Sequence, residues 1–193
     1  MSQLLFQKRY SLSGLWTLFL LCGFPLHAWA ILLALMDFSW VAERSSTWDA
    51  IGVLSYALLF ALIESLILFI LFFLAGWLVS TKWDEPHRIL ILATLMMVLA
   101  SWAIFTQSHF LWGTSLPDAV LRWSSASEHP VRMIYLFLLP IVSVTVVVPV
   151  VLILSNNRVF HVMKSLFDRI CMLTTFYLVF DAVGLIILVI RNV

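Results

Sequence analysis

Five long runs of apolar residues constrain this chain more than any other feature. A helix needs about 20 mainly apolar residues to cross a hydrocarbon layer about 30 Å thick. The runs are continuous rather than alternating, which favours helices over the strands of a barrel. They extend over residues 14–36, 51–79, 89–105, 131–154 and 170–190. The sequence therefore predicts an all-α integral membrane protein with five transmembrane helices, in which residues 1–193 form a single polytopic domain.

Composition supports this assignment and excludes other classes of protein. Hydrophobic residues make up 63% of the chain and charged residues 11%, whereas about a quarter of a soluble domain is charged. A net charge of +1 provides no basic surface, so nucleic acid is not expected as a partner. Two cysteines are too few for a disulfide framework. The expected partners are the lipid bilayer and either other membrane subunits or further copies of the chain; no cofactor is indicated.

The positive charges near the N-terminus and in the loops predict the orientation. Lys8 and Arg9 precede the first apolar run as in a signal peptide, and residues 28–30 fit a cleavage pattern. The run continues to Met36, however, so we expect a retained first helix. Lys and Arg are more numerous on the side of the N-terminus, at Lys8, Arg9, Lys82, Arg88, Arg158, Lys164 and Arg169, than on the other, at Arg44, Arg122, Arg132 and Arg191. This bias predicts a cell-membrane protein with a cytoplasmic N-terminus and an external C-terminus.

Two shorter helices are predicted outside the spans. In the outer loop, Ser115 is a candidate helix cap, followed by Pro117 and Asp118 in the first turn, which predicts a short interfacial helix. On the inner side, residues 155–169 form an amphipathic and mildly basic stretch. This stretch is either a separate inner helix on lipid headgroups or a partner, or an N-terminal extension of the fifth span.

Three ionisable residues fall near the middle of predicted spans. Glu64 lies in the second span, Asp181 in the fifth and His27 in the first. An acidic side chain at the bilayer centre costs on the order of 3 kcal/mol, and no Lys or Arg lies near that depth in the sequence. Each carboxyl group is therefore expected to face the protein interior, where it is protonated, paired with His27 or bound to a cation.

The neighbours of these residues favour a common interior face. Small residues recur every four positions beside Glu64, at Ala57, Ala61 and Ser65. Polar and small residues share one face of the fifth span, at Thr174, Tyr177, Asp181 and Gly184. Pro25 frees the backbone carbonyl of Leu21, which we expect to line the site beside His27. We therefore predict an intramembrane polar site, where spans one, two and five meet, made of Glu64, Asp181, His27, Tyr177, Ser65 and Thr174.

These residues leave three functions open. The first is a small transporter, or a membrane subunit of a larger complex, with a buried site for a proton or a cation. The second is a scaffold subunit whose buried acids hold an assembly together. The third is a membrane enzyme that acts on a lipid-linked substrate. An enzyme is disfavoured because the chain lacks a Gly-x-Ser-x-Gly elbow, a phosphate loop and a His-Glu-x-x-His motif, and no metal site is predicted.

Overall fold

The computed structural model describes residues 10–79, 82–113 and 117–193, and within those ranges it contains helices and their connections but no strand. The helices are α1 (Leu12–Arg44), α2 (Thr47–Ala75), α3 (Glu85–Leu111), α4 (Asp118–Ser125), α5 (Pro130–Ser155) and α6 (Asn157–Asn192). Five of them, all except α4, are long and apolar enough to cross a membrane. The prediction of an all-helical chain with five candidate spans is confirmed.

The helices begin where the local chemistry of the sequence favours a helix start. The side chains of Ser11, Ser46 and Asn156 accept hydrogen bonds from first-turn backbone amides at 2.9 to 3.0 Å. Pro86 and Pro130 occupy the first turns of α3 and α5, where a missing backbone N–H is no loss. Polar caps and prolines therefore set these boundaries, and apolar residues continue each helix across the span.

The two shorter helices that the sequence predicts have different outcomes in the structure. Helix α4 has eight residues and lies between α3 and α5; its N-cap is Pro117, which was expected in the first turn, and the expected cap, Ser115, lies outside the described residues. Residues 155–169 do not form a separate inner helix, because α6 continues without a break from Asn157 to Asn192. No proline or glycine interrupts α6 before Gly184. The amphipathic stretch is thus the N-terminal extension of the fifth span.

Side-chain contacts define the two ends of the bundle. At one end, the Tyr10 hydroxyl donates to the Gly76 carbonyl at 3.1 Å, and the backbone N–H of Ser11 donates to the Glu85 carboxylate at 2.6 Å. At the other end, Arg191 forms an ion pair with Asp49. We call these the Glu85 end and the Arg191 end. Helices α1 and α6 therefore run in the same direction, as an odd number of spans requires.

Helix α1 lies at the centre of the bundle and packs against α2, α3 and α6. One buried cluster joins four helices and contains Leu21, Leu90, Ala93, Ile153, Phe160 and Phe167. In the most apolar window of α1, 44% of the residues are buried, against 6% in α5. The interior of the protein is thus built around α1, and α5 is attached to its edge.

Close packing of α6 on α2 at Gly184 generates a first prediction. A Cβ atom at Gly184 would lie 3.5 Å from the Cα atom and carbonyl oxygen of Ser55. Gly184→Ala therefore fits, whereas Gly184→Leu forces the helices apart and should cost about 1 to 3 kcal/mol. Thermal unfolding in detergent measures this difference. Val183→Leu on the exposed side of α6 is the matched control. Equal unfolding temperatures of the two leucine variants would contradict the close approach.

Candidate functional site: a buried histidine–aspartate pair

His27 of α1 and Asp181 of α6 meet inside the bundle. The imidazole Nε2 lies 2.9 Å from one carboxyl oxygen of Asp181 and 3.2 Å from the other. The side chain of His27 is completely buried, and that of Asp181 is 3% exposed. The structure therefore brings together two of the ionisable residues that the sequence placed near the middle of separate spans.

The hydrogen bonds of His27 determine how many protons the pair holds. Nδ1 lies 2.8 Å from the Gly23 carbonyl oxygen, and a carbonyl only accepts, so Nδ1 carries a hydrogen. If the imidazole is neutral, Nε2 is an acceptor and Asp181 must be the protonated donor. If Nε2 also carries a hydrogen, an imidazolium faces a carboxylate. In both forms one proton lies between the two side chains, and the pair has no net charge.

Gly23 gives α1 its close approach to the neighbouring helices. A Cβ atom at this position would lie 3.2 Å from the Thr174 methyl group and 3.6 Å from the Ser65 hydroxyl oxygen. The backbone carbonyl that bonds His27 is that of Gly23. His27 reaches Gly23 because the two residues are four apart and share one face of the helix.

Tyr177 covers the imidazole of His27. Their rings are stacked, with centroids 5.8 Å apart and an interplanar angle of 12°. Phe24 in turn stacks on Tyr177, with the two ring centroids 6.3 Å apart. Tyr177 precedes Asp181 by four residues, so both side chains project from the same face of α6. The rings of Tyr177 and Phe24 thus form an apolar surface beside the ionisable pair.

Ser65 and Thr174 lie in the interior, but their hydroxyl groups bond to their own helices. The Ser65 hydroxyl donates to the Ala61 carbonyl at 2.6 Å, and the Thr174 hydroxyl donates to the Ile170 carbonyl at 2.9 Å. Their exposed fractions are 0% and 1%. These residues contribute small, internally satisfied groups that pack beside Gly23, and the hydrogen bond across the helices comes from His27 and Asp181.

Glu64 departs from the predicted site. Its side chain is exposed on the outside of α2, whereas its neighbour Ser65 is buried. The buried face of α2 includes Ser55, Leu58, Ala61 and Ser65. Successive residues of a helix are rotated by about 100°, so burying Ser65 turns Glu64 towards the periphery. The two acids therefore lie in different surroundings, one inside the bundle and one on its surface.

Three of the four other histidines lie in grooves or in an ion pair away from His27 and Asp181. His109 lines a mostly apolar groove of about 1130 Å³ between α3 and α5. His129 lines a second groove of about 750 Å³, together with Glu128 and Arg132. His87 pairs with Asp84 near the Glu85 end. Among the described residues, no group of three or more His, Cys, Asp or Glu side chains is arranged to hold a metal ion.

Two tryptophans make contacts that sequence reasoning missed. The Trp29 indole donates to the Gln107 side chain at 2.7 Å, and the Trp102 indole donates to the Thr145 hydroxyl at 3.0 Å. The third predicted span ends at residue 105, only three residues after Trp102. Helix α3 in fact continues to Leu111, so Trp102 links α3 to α5 from within the helix.

Comparison with known proteins adds no functional assignment. No protein-family model, curated protein or solved structure matches this chain.

The pairing of His27 with Asp181 predicts a characteristic order of stabilities. His27→Leu leaves a buried carboxyl group without its partner and should cost about 3 kcal/mol or more. Asp181→Asn keeps a hydrogen-bonding side chain beside Nε2, so the loss should be nearer about 1 kcal/mol. Asp181→Leu, the second single variant of the cycle, should leave the imidazole without its partner, and the double variant with leucine at both positions should recover much of the loss. Thermal unfolding in detergent, read as a double-mutant cycle, checks this order, and strictly additive losses would show that the two side chains do not interact.

Proposed function

We propose that this chain is a membrane subunit of a larger assembly, in which other transmembrane helices cover surfaces that the isolated chain exposes. The observation that carries the proposal is the position of Glu64. Its side chain is exposed, and no hydrogen bond or ion pair reaches it from the described residues. A carboxyl group left in the hydrocarbon costs on the order of 3 kcal/mol, which a covering protein offsets.

The depth of Glu64 strengthens this argument. It follows Asp49 of the Arg191 end by fifteen residues and precedes Gly76 of the Glu85 end by twelve. At 1.5 Å per residue these separations are about 22 Å and about 18 Å. A glutamate side chain is too short to reach the headgroups from there. Helix α5 is also exposed, but lipid covers its apolar side chains at no cost. The carboxyl group of Glu64 is therefore the feature that favours a protein neighbour.

The His27–Asp181 pair has an internal role in this proposal. It ties α1 to α6 with a hydrogen bond between groups that are 0% and 3% exposed. The scaffold hypothesis assigned the buried acids to assembly, and on this geometry Asp181 serves the fold of the chain itself. Glu64 is left as the acid that serves association with a neighbour.

The proposed location is a cell membrane with the Glu85 end in the cytoplasm. Basic residues at that end of the described helices and turns are Lys82, Arg88, Arg158, Lys164 and Arg169. Those towards the Arg191 end are Arg44, Arg122, Arg132 and Arg191. The excess at the Glu85 end supports this orientation through the positive-inside rule.

The subunit proposal predicts that Glu64→Gln weakens a native assembly. Removing the carboxyl charge should lower the fraction of chain in the larger particle by about tenfold, which corresponds to about 1.4 kcal/mol. Mild detergent extraction of native membranes followed by size-exclusion chromatography measures that fraction. Asp37→Asn is the matched control, because Asp37 is exposed near the end of α1. Wild-type chain that elutes as a monomer from native membranes would refute the proposal.

A second candidate function, proton-coupled transport, is favoured by the single proton held between His27 and Asp181. Both residues lie within membrane-spanning helices, at a level where the described chain has no Lys or Arg. A pair that exchanges this proton with both sides would conduct protons or couple their movement to a solute. The enclosure of the pair means that helix movement must open a path to water.

Proteoliposomes distinguish this second function from the first. If the pair transfers protons, purified wild-type chain collapses an imposed pH gradient faster than protein-free vesicles do, as followed with a pH-sensitive dye. Asp181→Asn then abolishes the excess rate, because an amide does not release a proton at physiological pH, and Asp37→Asn leaves it unchanged. Identical rates in wild-type and protein-free vesicles would count against proton passage by the chain alone.

A further inference from the structure

We infer that the neighbour covering Glu64 is a transmembrane helix of a different polypeptide that carries a lysine or arginine near the middle of its span. The inference rests on the proposed function and names the class of partner.

Exposed side chains around Glu64 form a stripe along α2 that a single helix can cover. Phe60, Ile67 and Leu71 lie at positions i−4, i+3 and i+7 relative to Glu64, so the four residues form one stripe along α2. The exposed fractions of Phe60, Ile67 and Leu71 are 63%, 54% and 54%. We call this the Glu64 stripe. A single helix packed along it would cover three large apolar side chains and the carboxyl group together.

The carboxyl group itself favours a basic partner over a neutral one. A hydrogen bond from a hydroxyl or amide across two membrane helices contributes only about 0.6 to 2 kcal/mol. A glutamine accepts such a bond equally well and does not carry the cost of an acid in hydrocarbon. An ionised carboxyl group attracts a cation, which a neutral amide does not, and ionisable side chains within membrane spans pair with one another.

A second copy of this chain does not supply that cation. In the described residues, the Lys and Arg side chains belong to the two ends of the bundle. Arg169 is the one furthest from a helix terminus, and it directly follows Asp168, which lines a polar groove together with Glu85. His27 is buried and already engaged by Gly23 and Asp181. Two parallel copies joined through the Glu64 stripe would place carboxyl group against carboxyl group. The basic side chain must therefore come from another polypeptide.

Synthetic helices test this inference with a defined probe. The probe is a hydrophobic transmembrane peptide of leucine and alanine with one central lysine, and the comparison peptide has leucine at that position. Fluorescence energy transfer between labelled full-length chain and labelled peptide is measured in liposomes. We expect the lysine peptide to associate at least tenfold more tightly than the leucine peptide. Glu64→Gln should abolish this preference, and Asp37→Asn should retain it.

Three other results overturn the inference. Equal association of the two peptides would show that the Glu64 stripe does not select a cation. A lysine preference that persists in Glu64→Gln would place the cation elsewhere. Energy transfer between two labelled copies of the chain, lost in Glu64→Gln, would identify a second copy as the neighbour. The last result would leave the subunit proposal standing, whereas a monomer in native membranes would remove that proposal whatever the peptides do.

Discussion

The hydrogen bond between His27 and Asp181 is the interaction on which the arrangement of α1 and α6 depends. Neither side chain has access to water in the interior, so each satisfies the other, and the pair is neutral whichever atom holds the proton. Gly23 accepts from the opposite side of the imidazole at 2.8 Å. The same glycine lets Thr174 and Ser65 approach α1 closely. One turn of α1 thereby determines both the polar contact and the helix packing around it.

The two acids that the sequence places near the middle of predicted spans have different surroundings. Asp181 is enclosed and paired, so its role is explained within the chain. Glu64 is exposed on the outside of α2 and has no partner among the described residues. The structure therefore contains one enclosed and paired acid and one exposed acid, and the proposed association with a neighbour depends on the exposed one.

Sequence reasoning predicted the helices well and the site in part. Continuous apolar runs predicted all five long helices, although the third run ended before the helix does at Leu111. Spacing along the fifth span correctly put Thr174 and Asp181 on one buried face, and both are at most 3% exposed. The same reasoning failed for Glu64. The small residues Ala61 and Ser65 indicated the face of α2 that is buried, but Glu64 lies next to that face and is exposed.

Composition and run length by themselves determined that this chain forms helices long and apolar enough to cross a membrane, where a backbone must satisfy its own hydrogen bonds. Residue identity also determined that a histidine and two acids would need special surroundings. Only the tertiary structure decided which of them meet. That choice depends on the rotation of each helix about its axis, which close contacts at Gly23 and Gly184 establish. A rotation of about 100° separates a buried Ser65 from an exposed Glu64, and only the packing of α2 against its neighbours decides on which side of that boundary each side chain lies.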